Sequence, residues 1–218
     1  MRHGRLRVIT LAGLTPYAKA HALQLKMVEE RKRGTIGDTL LLLEHPPVIT
    51  LGRNADPAGV TAAPSVLEEL GIETHRIERG GQVTYHGPGQ VVGYPILDLR
   101  NLKIGVGRFV RMLEDTMIQA AAALGIEAGR KEGIIGIFTE QGKIGAIGVR
   151  ITRGVSFHGF AFNIDPDLSH FQLIIPCGLM DESVTSAAGI LGKAPPMTAV
   201  KEMFAGTFAR VFGLKIQG

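Results

Sequence analysis

Residues 133–164 read GIIGIFTEQGKIGAIGVRITRGVSFHGFAFNI. Gly133 to Thr139 and Lys143 to Ile151 are rich in Ile, Val and Phe, and the turn residues Glu140-Gln141-Gly142 lie between them. That pattern predicts two strands joined as a hairpin. Val155 to Ile164 predicts a third strand. Working outward, Thr39 to Glu44 reads as a buried strand and Val48 to Leu51 as a second short one, separated by His45-Pro46-Pro47. Ile72 to Glu78 reads as another strand. Helical spacing appears at Tyr17, Ala20, Leu23 and Met27, between Thr15-Pro16 and Gly34. It recurs at Val106, Phe109, Val110, Leu113, Met117, Ala120, Ala121 and Leu124, stopped by Gly125, and at Val200, Met203, Phe204, Phe208 and Val211. Ser65 to Leu70 reads as a short helix closed by Gly71. Strands cluster in the middle with helices beside them. This favours α+β with a mostly antiparallel or mixed sheet over regular βαβ alternation.

The chain has 218 residues, 45% hydrophobic and 20% charged, which suits one domain with a sizeable core and excludes disorder as its main state. Glycine is abundant, 29 residues, without a collagen period. The single cysteine excludes an internal disulfide and a cysteine-based metal cluster. No apolar run is long enough to span a membrane, so a soluble cytoplasmic protein is expected. Net charge is +4, and Arg31-Lys32-Arg33, the densest basic cluster, falls where a helix should end. Nucleic-acid and membrane partners are therefore not expected, and attraction to an acidic protein stays open.

Four stretches carry candidate chemistry. Arg79-Gly80-Gly81-Gln82-Val83-Thr84-Tyr85-His86-Gly87-Pro88-Gly89-Gln90 mixes paired glycines with polar tips. Such a segment can bring backbone N–H groups to a ligand, or it can be a glycine-rich hairpin whose His86 and Tyr85 satisfy buried backbone. It lacks P-loop spacing. Alternating glycines around Lys143, Ala146, Ile147 and Gly148, and again around His158, Gly159, Phe160 and Ala161, strip one strand face of side chains. That leaves room for a slender apolar ligand or for another backbone. Lys143 is either a solvated lysine or part of that site; His158 is either a satisfied core histidine or a polar group within it. Cys177, between Pro176 and Gly178, sits on a turn, and both a reactive thiol and a packed one fit those neighbours.

Residues 79–90, Gly142-Lys143-Ile144-Gly145-Ala146-Ile147-Gly148, His158-Gly159-Phe160-Ala161-Phe162-Asn163 and Pro176-Cys177-Gly178 occur together in one order. In this the chain resembles the lipoyl/octanoyl transferases of lipoate biosynthesis, relatives of the lipoate- and biotin-protein ligases. The resemblance implies one catalytic domain over residues 1–218. It implies an α+β fold with a larger mixed sheet and a smaller sheet flanked by helices. It implies that Cys177 carries an acyl thioester and that Lys143 lowers its pKa. It also implies that residues 79–86, Ala146 to Gly148 and Gly159 to Ala161 line the acyl site, with His158 as a possible support. The implied donor is octanoyl-acyl carrier protein. The implied acceptors are lipoyl domains of 2-oxoacid dehydrogenase E2 subunits and the glycine cleavage H protein.

This chemistry is self-consistent. A free thiol is only a few per cent thiolate at neutral pH, and a lysine ammonium at about 4 Å supplies roughly the 2.7 kcal/mol that lowers its pKa by 2 units. Thioester exchange is near balance and amide formation runs downhill, so neither ATP nor another cofactor nor a metal is expected. Backbone N–H groups at Gly178 and Leu179 are candidate oxyanion donors, and neutral Lys143 or His86 is a candidate acceptor of the amine proton. Two other readings share these features: an ATP-dependent lipoate or biotin ligase of the same fold, and a non-catalytic acyl-binding module.

Overall fold

The computed structural model describes residues 4–175 and 183–217. Cys177, Gly178 and Leu179 lie outside the described residues. Strand β1 (Arg5–Leu14) leads into helix α1 (Tyr17–Arg33), then β2 (Asp38–Glu44), β3 (Val48–Leu51), α2 (Pro64–Glu69), β4 (Glu73–Arg76), β5 (Val83–His86) and β6 (Gln90–Ile96). Helix α3 (Val106–Ala123) precedes β7 (Gly129–Lys131), β8 (Ile134–Thr139), β9 (Gly142–Thr152) and β10 (Val155–Asn163). Helices α4 (Ala187–Leu191) and α5 (Met197–Phe212) and strand β11 (Lys215–Ile216) follow. The larger sheet is mixed, in the order β11-β1-β2-β6-β10-β9-β8-β7, and the smaller is β4-β3-β5. The expected α+β architecture with two sheets is what the chain adopts.

Strand β2 shows why the large sheet is covered on both faces. Leu40 and Leu42 point into a core shared with Phe109, Leu113 and Met117 of α3 and Phe204 and Phe208 of α5. Leu41 and Leu43 point to the other face, under Ala20 of α1. A strand buried on both sides reads as an unbroken apolar run, as Leu40 to Leu43 does. Helix α1 stops where Gly34, at φ 75°, takes the left-handed turn and donates its N–H to Arg31 O at 3.1 Å. Among the described residues, no helix is long and apolar enough to cross a membrane.

Two strands depart from expectation. The basic N-terminal stretch forms β1, parallel to β2. Residues 90–96 form β6, which pairs with β2 and β10 although they contain Gly93 and Pro95. Proline is normally kept from sheet interiors because it donates no hydrogen bond. Here the Ser156 hydroxyl donates to Pro95 O at 2.7 Å and accepts from Leu97 N–H at 3.1 Å, so a side chain repairs the ladder. Residues 72–78 form a shorter strand than expected, because Ile77 N–H already turns to Leu51 O.

The chain passes from the large sheet to the small one through His45-Pro46-Pro47 and returns through Gly87-Pro88-Gly89. The small sheet keeps its own core of Ile49, Leu51, Val83, Tyr85, Leu67 and Ile174. The cleft where β5 faces β9 and β10 is therefore the seam between the two sheets.

Candidate active site

Strand alternation splits β5. Thr84 and His86 face the seam, while the Tyr85 ring points into the small-sheet core, edge-on to Phe171, with its hydroxyl 2.8 Å from His170 Nδ1. Tyr85, which the resemblance placed in the acyl-site lining, does not line this cavity. The seam encloses about 490 Å³ of atom-free space, part of it continuous with solvent. Arg79, Gly81, Gln82, Val83, Thr84 and His86 form one wall, and Ala146, Ile147, Gly148, Gly159, Phe160 and Ala161 form the floor. His158 lines it too, with two residues the sequence reading missed, Tyr17 of α1 and Tyr94 of β6.

The glycines of the floor serve backbone approach. A Cβ on Gly148 would lie 2.9 Å from Arg79 Cδ and 3.1 Å from Gly80 O. A Cβ on Gly159 would overlap the carbonyl of Gly93. Gly80 therefore sits behind the cavity, its N–H donating to Val149 O at 3.0 Å, and does not line it. Arg79 locks the same segment from the other side. Its guanidinium donates to Thr50 O at 2.6 Å, Thr50 Oγ1 at 2.9 Å and Gly80 O at 3.0 Å, all nearly out of solvent.

A smaller space of about 360 Å³ adjoins the first and shares Thr84, Ala146 and Ala161 with it. Lys143, Gln90 and Asn163 line it. Lys143 is buried; its Nζ donates to Ile135 O at 3.3 Å and lies 5.4 Å from the centre of the Phe138 ring. Its backbone is paired on the open edge as well. Lys143 N–H donates to Ser183 O at 2.8 Å, and Thr185 N–H donates to Lys143 O at 3.0 Å. The described chain immediately after residues 176–182 is thus docked on Lys143. On the other side, Ile175 N–H donates to Gly59 O at 2.8 Å.

A one-way chain of hydrogen bonds orients His86. Thr185 O can only accept, so Asn163 Nδ2 donates to it at 3.0 Å. Asn163 Oδ1 then accepts from Gln90 Nε2 at 2.8 Å, and Gln90 Oε1 accepts from His86 Nδ1 at 2.6 Å. Burial, and next the neighbouring His45, push the His86 pKa down to about 3, so the ring is neutral at pH 7. His45 is likewise held down at about 4 by burial. His45 Nδ1 donates to Thr15 O at 2.7 Å, leaving Nε2 to accept the Tyr94 hydroxyl at 2.8 Å.

The α1 side is different. His158 has φ 54°, a left-handed conformation that non-glycine residues seldom take. The twist sets its ring beside Phe157, stacked 5.4 Å from His21 of α1, instead of on the opposite face of β10. Gln24 of α1 holds the turn by accepting the His158 N–H at 2.8 Å. Among the described residues, three buried side-chain atoms here find no hydrogen-bond partner: Tyr17 OH, Gln24 Nε2 and His158 Nε2. Nothing local in the sequence marks Tyr17, which reads as one more apolar position of α1.

Comparison with known proteins bears on this arrangement. Residues 16–209 match the family described as lipoyl protein ligase A/B catalytic domain. The octanoyltransferase of Koribacter versatilis is 48% identical over 212 residues, covering 95% of this chain and 84% of that protein. A bi-partite lipoate protein ligase from Thermoplasma acidophilum superimposes with a TM-score of 0.75 at 15% identity, over 100% of this chain and 86% of that one. The biotin protein ligase of Aquifex aeolicus gives 0.57 at 12%, over 94% and 70%. The fold is thus shared with lipoate and biotin ligases.

Proposed function

The chain belongs to the lipoyl protein ligase A/B catalytic-domain family, and from that premise we propose that residues 1–218 act as one catalytic domain moving an octanoyl group from acyl carrier protein to a lysine of lipoyl domains. It is an acyltransferase of the octanoyltransferase type, working in protein lipoylation. In the proposed first step the Cys177 thiolate attacks the donor thioester. A carbon–sulfur bond to Cys177 forms, the bond to the carrier's sulfur breaks, and that sulfur leaves with the electron pair and takes a proton from the Lys143 ammonium, leaving the lysine neutral. The acceptor lysine then attacks. A carbon–nitrogen bond forms, the bond to Cys177 breaks, and the surplus amine proton leaves through Lys143.

The observation that carries this reading is the pairing of Lys143 with Ser183 and Thr185 at the end of an apolar cavity. It holds the described chain that resumes at Ser183 against the lysine that, in this proposal, holds the Cys177 thiolate. Ala146 and Ala161 offer the acyl chain apolar contact next to that point, and Ile147 and Val83 line the larger space beyond. His86 is a poor proton acceptor at neutral pH, because its pKa is pushed down to about 3 and its Nδ1–H is committed to Gln90. That leaves Lys143 the better placed base. The Thermoplasma acidophilum ligase is described together with its E2 lipoyl domain, which supports lipoyl domains as the acceptor class. We propose E2 subunits of 2-oxoacid dehydrogenases and the glycine cleavage H protein as acceptors.

Mixing the protein with octanoyl-acyl carrier protein, without acceptor, tests the reading by intact mass. One octanoyl group should appear on Cys177 and vanish in Cys177→Ser. Octanoate with ATP should leave no adduct and should not modify a lipoyl domain. An adduct on another residue, or modification that needs ATP, overturns the thioester route.

A further inference from the structure

His21 of α1, Glu78 of the β4–β5 connection and His158 of β10 meet beside the cavity that His158 lines. His21 Nε2 lies 3.1 Å from Glu78 Oε1, and His158 Nε2 lies 3.9 Å from Glu78 Oε2. One donor atom from each residue falls within a mutual span of 4.8 Å. A tetrahedral ion with bonds of about 2.0–2.1 Å separates its ligands by about 3.4 Å, inside the range these pairs bracket.

A plain hydrogen bond accounts for the His21–Glu78 contact. It does not account for His158. That side chain is 2% exposed, its Nε2 has no hydrogen-bond partner among the described residues, and it faces Glu78 from beyond hydrogen-bonding distance. The left-handed backbone held by Gln24 is what puts the ring there. The neighbouring cation, Arg79, has its guanidinium turned to Thr50 and to the Gly80 carbonyl.

We propose that His21, Glu78 and His158 form a site for a borderline divalent transition-metal ion of the Zn²⁺ class, with water as the fourth ligand. Two imidazoles and a carboxylate are the donor set such an ion prefers over Ca²⁺ or Mg²⁺. The bound ion ties α1 to the chain that enters Gly80-Gly81 and closes the His158 side of the cavity. It takes no part in the acyl transfer proposed above.

The untagged full chain, stripped with chelator, is titrated with Zn²⁺ by calorimetry and with Co²⁺ by absorption. One equivalent should bind and raise the melting temperature. The Co²⁺ complex should show four-coordinate nitrogen and oxygen ligation without a thiolate charge-transfer band. His21→Ala and Glu78→Gln change partly exposed side chains, and circular dichroism verifies their fold. Each should weaken binding by about 100-fold or more, while Cys177→Ser should leave it unchanged. Absence of Zn²⁺ binding, full binding in either ligand variant, loss in Cys177→Ser or a thiolate band overturns the site.

Discussion

At the Lys143 end of the cavity, a continuous hydrogen-bond chain runs from His86 through Gln90 and Asn163 to the Thr185 carbonyl. At the α1 end, Tyr17, Gln24 and His158 each bury a polar atom without a partner. The contrast separates two demands on one cavity. Charge that develops during acyl transfer is best met by groups already oriented before substrate arrives. Unspent hydrogen-bonding capacity costs about 1–3 kcal/mol for each buried orphan, a cost that a ligand, water or ion arriving there would relieve. The same strand, β10, serves both ends: Asn163 belongs to the finished network and His158, held by Gln24, to the unfinished one.

The largest expected effect falls at the finished end. Lys143→Ala should slow octanoyl transfer by about 10²–10⁴-fold, the usual range for a proton-transfer group. Lys143→Arg keeps the charge and cannot act as a base, so it should retain more acylation of Cys177 than transfer from it. Rapid-quench mass spectrometry of the two half-reactions reads both. Unchanged rates in Lys143→Ala would move the reactive end elsewhere and dissolve the comparison.

Breaking the network comes next. Asn163→Ala leaves one N–H of the Gln90 amide, which keeps its 3.5 Å contact to Tyr85 O, and the Thr185 carbonyl unmatched, costing about 1–3 kcal/mol for each group. For a chain of this size that is a melting-temperature drop of roughly 2–4 °C per kcal/mol. Thermal unfolding followed by circular dichroism measures it, and a shift near zero would show that the chain of bonds does not hold His86 in place.

Acid should loosen the same region. His86 and His45 have folded pKa values of about 3 and 4, below the ordinary histidine value. The unfolded chain therefore binds more protons between about pH 6.5 and those values. Stability is complete above about pH 6.5 and falls with acidification, by up to about 1.4 kcal/mol per pH unit for each ring. Denaturant melts at pH 7 and pH 5 should separate by less in His86→Asn than in the wild type. Equal separation in both would remove His86 from the acid response.

Tyr17→Phe should have the smallest effect. It deletes an unpartnered buried hydroxyl, so stability should change by no more than about 0.5 kcal/mol, or rise slightly. Denaturant midpoints check this. A loss above about 1 kcal/mol would mean that the hydroxyl is already satisfied and that the two ends are less different than the bond pattern shows.

Much of the fold is legible in the sequence. The α1, α3 and α5 helices announce themselves by apolar spacing and glycine stops, and the β8–β9–β10 run by paired β-rich segments around a turn. Strand β6 is not legible, since Gly93 and Pro95 oppose a central strand on local grounds. Only Phe160, whose ring occupies the space a side chain at 93 would need, and the Ser156 hydroxyl make it possible. The cavity residues divide the same way. The floor glycines and the 79–86 wall are visible as unusual local composition. That the Tyr85 ring turns into the small-sheet core is not visible there, because membership of a motif does not say which way alternate side chains point.

The residues alone determined the family, the α+β class and the stretches that carry the chemistry, because turn glycines, periodicity and motif order are local properties of the chain. Tertiary structure alone decided that Tyr17, Tyr94 and His158 share a cavity, and that His21 and Glu78 stand beside His158. It also decided that Lys143 is tied to the chain following Cys177. Those neighbours come from different elements, and their meeting depends on how two sheets and a helix close on one another. Such closure is a sum of many small packing terms over distant residues, and no short stretch of sequence contains it.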